Sequence, residues 1–187
     1  MIAIYVRELK SYFLTPIGYI FCGVFLVVSG LLFANTTLLA QTTGGLGFYF
    51  IGLMIVFAIL LPLLTMKLLS EDRKTRTDQI LLTSPVSVLD IVLGKYLAAL
   101  TVFGATFVVN GFNFLLLFKY GEPNILSIFM NSFGLFMLGA AFVAIGLLLS
   151  SITENQLIAA VLAMGVNVSM LLISLVASNI ESTFWRT

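Results

Sequence analysis

The feature that most constrains this chain is a long stretch without charge. No Asp, Glu, Lys or Arg occurs between Lys10 and Lys67. A charged side chain at the bilayer centre costs about 2.5 to 3.5 kcal/mol on insertion scales, whereas an apolar side chain is favourable there. A polar cluster at residues 41–45 divides the stretch into two apolar segments, 17–39 and 48–68. Each segment is long enough to cross about 30 Å of hydrocarbon as a helix.

Three more apolar segments follow, at residues 92–118, 124–150 and 156–178. Their apolar residues run continuously, without the alternation of a membrane β-barrel, so helices are predicted. Of the 187 residues, 60% are hydrophobic and 9% are charged, which is more apolar surface than one soluble core can hide. The sequence therefore predicts an all-α integral membrane protein with five transmembrane helices.

Composition excludes several kinds of site within this chain. The formal net charge of +1 offers no basic surface for nucleic acid. His is absent and Cys22 is the single cysteine, which excludes a disulfide, a Cys/His metal site and a Ser-His-Asp triad. No G-x-x-x-x-G-K-S/T phosphate loop occurs. We therefore expect no enzyme activity, no metal site and no nucleic-acid partner, and any ATP has to bind to another chain.

Residues 2–14 are predicted to form a separate amphipathic helix. Thr15-Pro16 separates it from the first span, because proline disfavours helical geometry in the residue before it. Its polar side is predicted to carry Arg7, Glu8, Lys10 and Ser11, and its apolar side Ile2, Tyr5, Val6, Leu9, Tyr12 and Phe13. Such a helix lies in the membrane interface as an elbow, and the alternative is a simple extension of the first span.

The distribution of Lys and Arg predicts the orientation in the membrane. Seven of the nine Lys and Arg residues lie either before the first span or from the end of the second span to the start of the third. Basic residues are enriched in cytoplasmic loops, so the N-terminus and residues 69–91 are predicted to be cytoplasmic. Residues 41–47 and Pro123 are then external.

Residues 69–91 have the character of a soluble segment. The charged residues that follow the second span are predicted to form a turn. After this charged turn, Thr77 can cap a short helix, and Asp78 complements the positive end of that helix. Pro85 limits the helix. The alternative is an ordinary solvated loop.

A predicted cap marks the start of the third span. Ser87, with Asp90 three residues later, resembles a capping box in which Asp replaces the usual Glu or Gln. The helix that begins there is expected to carry Lys95 at the membrane interface.

Four amides within the predicted spans are candidates for a functional role: Asn110, Asn113, Asn131 and Asn167. One role for them is hydrogen bonding between helices, worth about 0.6 to 2 kcal/mol each. The other role is lining of a transport path. No Asp, Glu or Lys lies well inside a predicted span, which argues against an ion-coupled carrier.

Several runs of residues resemble one transporter family. The first cytoplasmic loop of type 2 ABC exporter permeases is similar to MKLLSEDRKTRTDQILLTSPVS at residues 66–87 and to IVLGKYLA at residues 91–98. Their elbow helix, especially in the branch of gliding-motility and copper-maturation permeases, resembles RELKSYFLTPIGY at residues 7–19. Their second cytoplasmic turn is similar to SSITENQ at residues 150–156. The resemblance covers nearly the entire chain.

The resemblance implies the transmembrane permease subunit of an ATP-driven exporter in the cytoplasmic (inner) membrane of a bacterium. The implied partners are a second permease copy, as a homodimer or heterodimer, and two copies of a separate cytoplasmic ATPase that binds ATP and Mg²⁺. Nucleotide would close the ATPase pair and move a short coupling helix and the second turn. The residues expected to contact the ATPase are Glu71, Arg73, Arg76, Thr77, Asp78, Leu81, Thr83, Glu154 and Asn155.

Two features depart from the family pattern. Arg76 stands where a glycine is common. Such permeases have six spans with both ends inside, so we expect the native chain to continue beyond Thr187, with a five-span variant as the alternative. The alternative function is a membrane anchor or assembly factor that recruits a cytoplasmic partner without transport.

Overall fold

A computed structural model describes residues 1–38, 46–75, 87–120 and 124–184. The helices in these ranges are α1 (Ile2–Leu14), α2 (Pro16–Phe33), α3 (Leu46–Thr65), α4 (Ser70–Thr75), α5 (Val88–Asn110), α6 (Phe112–Tyr120), α7 (Ile125–Ile152) and α8 (Gln156–Phe184), and a π-helical turn, Ala34–Leu38, continues α2. Five segments are long and apolar enough to cross a membrane: Pro16–Thr37, Leu46–Lys74, Val88–Leu116, Ile125–Ile152 and Gln156–Ser174. The described residues contain no strand, and the prediction of an all-α chain with five membrane-spanning helices is confirmed.

The helices begin where local chemistry favours a start. Thr15 is extended, with φ −96° and ψ 151°, and Pro16 is the first residue of α2, as the sequence predicts. Ser87 caps α5, because its hydroxyl accepts the Asp90 N–H at 3.1 Å. The Asp90 carboxylate accepts the Ser87 hydroxyl at 2.9 Å, where a full capping box would bind the Ser87 N–H.

Helix α3 packs against α2, α7 and α8 at the centre of the bundle. In the middle of α3, the centre of the Phe57 ring lies 5.5 Å from that of Phe25 and 5.0 Å from that of Phe103. Aromatic pairs at such separations contribute about 0.5 to 1.5 kcal/mol beyond their area burial. Because lipid tails are as apolar as Leu, close packing of this kind holds the spans together.

The helix of the third span tightens at Gly111. Helix α5 ends at Asn110 and α6 begins at Phe112, and Gly111 between them keeps helical backbone angles, φ −57° and ψ −24°, so the two helices form one segment, Val88–Leu116. The Gly111 N–H is shared between the carbonyls of Phe107 and Val108, at 3.1 and 3.0 Å, so the turn tightens at this point.

The close approach of α3 and α7 requires a glycine. A Cβ on Gly146 would overlap the Thr65 hydroxyl and lie 2.9 Å from the Thr65 Cβ. Thr65 is fully buried, and its hydroxyl donates to the Leu61 carbonyl at 3.2 Å. Gly134 lies on the same helix, and a Cβ added there would meet nothing within 4 Å. The two glycines are therefore a matched pair for a substitution experiment.

We expect Gly146→Ala to lower the free energy of unfolding by about 1 to 3 kcal/mol, because the new methyl group has to displace Thr65. Gly134→Ala should leave stability unchanged or raise it by up to about 1 kcal/mol, since Ala is the better helix former. Thermal unfolding of the purified protein measures both effects. Equal midpoints for the two variants would contradict the close contact at Gly146.

Candidate functional site

A buried polar cluster joins the N-terminal helix to the predicted cytoplasmic ends of the spans. The Lys95 Nζ donates to Glu8 Oε1 at 3.0 Å and lies 2.7 Å from Asp72 Oδ2. The Arg7 guanidinium donates to the same Glu8 oxygen at 2.8 Å. The side chain of Lys95 is 2% exposed, that of Glu8 11% and that of Asp72 17%. The polar cluster of Glu8, Asp72 and Lys95 therefore connects α1, α4 and α5.

The polar cluster corrects one prediction. The sequence pattern places Glu8 on the exposed polar side of α1, but the buried side consists of Ile4, Glu8 and Tyr12. The pattern places Lys95 at the membrane interface, which stays a prediction, and the structure buries its side chain against neighbouring helices. Each charge lowers the cost of burying the other, because the two groups are paired. The residues exposed in place of Glu8 include the predicted apolar residues Ile2, Val6 and Phe13.

A second cation fixes the elbow to the end of α3. The Lys67 Nζ donates to Thr15 Oγ1 at 3.0 Å and lies 4.9 Å from the centre of the Tyr12 ring. Tyr12 is fully buried, and its hydroxyl donates to the Leu64 carbonyl at 2.9 Å. Burial first, and the negative charge of Glu8 second, raise the pKa of Tyr12 well above its ordinary value. The phenol therefore stays neutral and keeps its hydrogen bond.

The two predicted cytoplasmic turns meet at one hydroxyl group. Ser150 lies near the end of α7 and is fully buried. Its oxygen accepts the backbone N–H groups of Leu69 and Ser70, each at 3.1 Å. Its hydroxyl donates to the Met66 carbonyl at 3.0 Å. This arrangement, the Ser150 junction, attaches the turn after α3 to the end of α7.

We expect Ser150→Ala to loosen the turn between α3 and α4. The change leaves two N–H groups without their acceptor, at a cost of about 1 to 3 kcal/mol. Hydrogen exchange at the Leu69 and Ser70 amides should therefore accelerate by about 5- to 150-fold.

Ser151→Ala is the matched control for this change. The Ser151 hydroxyl donates to the Leu148 carbonyl of its own helix, at 2.6 Å, so exchange in the turn should be unaffected. Identical exchange rates in the Ser150→Ala and Ser151→Ala proteins would refute the junction.

The charged run at residues 70–75 forms the short helix α4, whereas the sequence predicts a turn there. Glu71 and Asp72 lie in its first turn, and Arg73 and Lys74 lie in its last turn. This order complements the helix dipole at both ends, which explains the difference. Glu71, Arg73 and Lys74 are exposed, so α4 presents both signs of charge at the surface.

A polar cleft of about 520 Å³ lies between α4 and the start of α8. Its lining residues are Lys74, Glu154, Asn155, Gln156 and Leu157. The Asn155 side chain also accepts the Leu157 N–H at 3.0 Å, at the beginning of α8. Two predicted ATPase contacts, Glu154 and Asn155, are thus brought next to α4. The predicted contacts that lie outside the described residues are Arg76, Thr77, Asp78, Leu81 and Thr83.

The four amides within the spans have different surroundings. Asn110 donates to the Tyr49 hydroxyl at 2.9 Å, and its carbonyl oxygen accepts the Asn113 amide at 2.9 Å. Asn131 donates to a carbonyl of its own helix at 2.8 Å. Asn167 is fully buried, and neither polar atom of its amide has a hydrogen-bond partner among the described residues. Asn110 thus connects α3 and α5, and lining of a transport path stays a prediction for all four.

The charged groups of this site bind one another or face the cleft. Within the ranges that the structure describes, no group of three or more Cys, Asp or Glu side chains is placed to hold a metal ion.

Comparison with known proteins identifies a family over most of the chain. Residues 33–186 match a family described as ABC-2 family transporter protein. This range contains α3 to α8, the Ser150 junction and the cleft. Neither the curated proteins nor the solved structures gave a significant match. The chain is a multi-pass membrane protein and belongs to the ABC-2 transporter family.

Proposed function

We propose that the chain is the transmembrane permease subunit of an ATP-driven exporter. It couples ATP hydrolysis by a separate ATPase, which carries ATP and Mg²⁺, to movement of a substrate across the membrane. Membership of the ABC-2 family supports this role. The proposal includes a second permease copy, as a homodimer or heterodimer, and a bacterial inner membrane with the N-terminus inside. Residues 7–19 support the gliding-motility and copper-maturation branch.

The Ser150 junction is the observation that carries this proposal. An exporter has to transmit a displacement from its ATPase to several spans at once. The junction attaches both turns to each other, so a force on either turn acts on α3 and α7 together. Asp72 on α4 lies 2.7 Å from Lys95 on α5, which extends the connection to a third span. Lys95 in turn holds Glu8 and with it α1.

The cleft is the proposed contact surface for the ATPase. Its lining includes a cation and an anion, Lys74 and Glu154, and the amide of Asn155. Exposed ion pairs contribute about 0 to 1 kcal/mol each, so several weak contacts should share the affinity. The predicted coupling helix at residues 77–83 would add an apolar contact through Leu81.

Charge reversal tests this contact. Lys74→Glu and Glu154→Lys should each weaken co-purification of the ATPase with the tagged chain by up to about 5-fold, and the double variant should weaken it further. Lys10→Glu on α1 makes the same change of charge away from the cleft and should leave co-purification unchanged. Full association of the double variant would exclude the cleft as the contact.

Transport itself is tested on the assembled complex in sealed vesicles. ATP should drive net movement of substrate, and the charge-reversed variants should hydrolyse ATP with less movement for each ATP consumed. An ATPase complex that forms normally, and hydrolyses ATP without moving any substrate, would favour the membrane anchor instead.

A further inference from the structure

We propose that the exposed side of α1 binds the headgroups of anionic phospholipids. This side carries two kinds of residue next to each other. Its apolar residues are Ile2, Val6, Phe13 and Leu14, all of which are exposed large side chains. Arg7 and Lys10 are also exposed and fall on the neighbouring part of the same side at helical spacing. A helix with this composition seats its apolar side at the boundary between headgroups and acyl chains.

The charges on this side favour an anionic partner. Among the described residues, no carboxylate lies within ion-pair distance of the Lys10 amino group. Glu8 is the one acid in α1, and its Oε1 already accepts Lys95 as well as Arg7. Lys95 also lies next to Asp72, so Arg7 and Lys95 together balance the two carboxylates, and Lys10 is left as the cation without an acidic partner among the described residues. The Arg7 side chain remains 52% exposed and has further N–H groups to donate.

The apolar residues decide between a lipid and a soluble anion. A phosphate free in solution would gain binding free energy from Arg7 and Lys10 alone. A phospholipid gains in addition because its acyl chains surround the exposed apolar residues of α1. We therefore assign the site to anionic lipid of the leaflet in which α1 lies.

Lipid binding at Arg7 would act on the polar cluster. Arg7 and Lys95 share one oxygen of Glu8, at 2.8 and 3.0 Å. A lipid phosphate that draws the Arg7 guanidinium outward leaves this oxygen to Lys95 alone. Anionic lipid should thus hold α1 at the membrane surface without breaking the contact between α1 and α5.

A titration of the purified chain in phosphatidylcholine nanodiscs with increasing phosphatidylglycerol tests the proposal. The thermal unfolding midpoint should rise with the phosphatidylglycerol fraction, because a ligand of the folded state stabilises it. In Arg7→Gln/Lys10→Gln, the apparent affinity for phosphatidylglycerol, taken from the dependence of the midpoint on its fraction, should fall by about 30-fold, which corresponds to about 1 kcal/mol for each basic residue. Lys10→Gln alone changes a side chain without a described polar partner and should lower this affinity by about 5-fold.

Two control proteins separate headgroup binding from general charge attraction. Arg73→Gln/Lys74→Gln removes the same charge from α4, whose own residues are all polar, and should respond like the unmodified chain. Arg7→Lys/Lys10→Arg keeps both charges and should also respond normally. The proposal is overturned if phosphatidylglycerol does not raise the unfolding midpoint of the unmodified chain, or if it raises that of Lys10→Gln just as effectively. It is also overturned if the α4 variant loses as much affinity for phosphatidylglycerol as the α1 variant. Soluble glycerol phosphate should not change the unfolding midpoint. A rise equal to that caused by phosphatidylglycerol would assign the site to a free anion.

Discussion

Lys95→Met is expected to lower the free energy of unfolding by about 3 to 5 kcal/mol. The change leaves the carboxylates of Glu8 and Asp72 near each other without the cation between them. Lys95 is 2% exposed, so water cannot replace its charge without opening the bundle. Removing one partner of a buried ion pair is costly for this reason. Thermal unfolding of the purified chain, with circular dichroism to confirm the helical content, measures the effect.

Two further variants separate charge from shape at this position. Lys10→Met removes an exposed cation from α1 and should change stability by less than about 0.5 kcal/mol. Glu8→Gln combined with Lys95→Met removes one negative charge as well and should recover part of the loss. If Lys95→Met were no less stable than Lys10→Met, the polar cluster would have no structural role.

Asn167→Leu is expected to change stability in the opposite direction, raising the free energy of unfolding by about 1 to 3 kcal/mol. The Asn167 amide is fully buried and has no hydrogen-bond partner among the described residues. Replacing an unsatisfied polar group by an apolar one of similar branched shape removes the cost of desolvating it. Asn167→Ala avoids any overpacking by Leu and should give a smaller gain.

Asn110→Leu is the matched control for this prediction. The same substitution there breaks contacts with Tyr49 and Asn113 and should lower stability by about 1 to 3 kcal/mol. An amide retained at a cost in stability is expected at a functional position. Substrate movement by the complex of Asn167→Leu with its ATPase should therefore fall even though the chain is more stable. A loss of stability equal to that of Asn110→Leu would show that Asn167 has a structural partner.

The fold could be predicted because its main determinants are local. The absence of charge over whole segments is a property of neighbouring residues, and it locates the spans without any tertiary information. The elbow break at Thr15-Pro16 and the cap at Ser87 likewise depend on residues within one turn of each other. The tightened turn at Gly111 was not predictable in this way, because glycine is tolerated inside many membrane helices.

The candidate site could be predicted only in part, because its contacts are distant in sequence. The periodicity of α1 assigns Glu8 to the polar side, and nothing within α1 indicates that Glu8 pairs with a lysine on another helix. A usable signal exists in α5, where Lys95 stands inside an apolar helix and needs a counter-ion. The Ser150 junction is harder to foresee, because Ser residues are common near helix ends and the partner groups are backbone atoms of another turn. Helix α4 is too short for any periodic pattern.

The distance along the chain between Glu8 and Lys95 has a consequence for biosynthesis. The two residues are 87 positions apart. At about 5 to 20 residues per second, about 4 to 17 s pass between their synthesis, and two spans have to enter the membrane in that time. During this interval Glu8 remains without Lys95, although Tyr12 and Thr15 can already contact the end of α3. A nascent chain whose third span fails to insert therefore keeps an incompletely docked α1 with an uncompensated Glu8, which quality-control proteases can recognise.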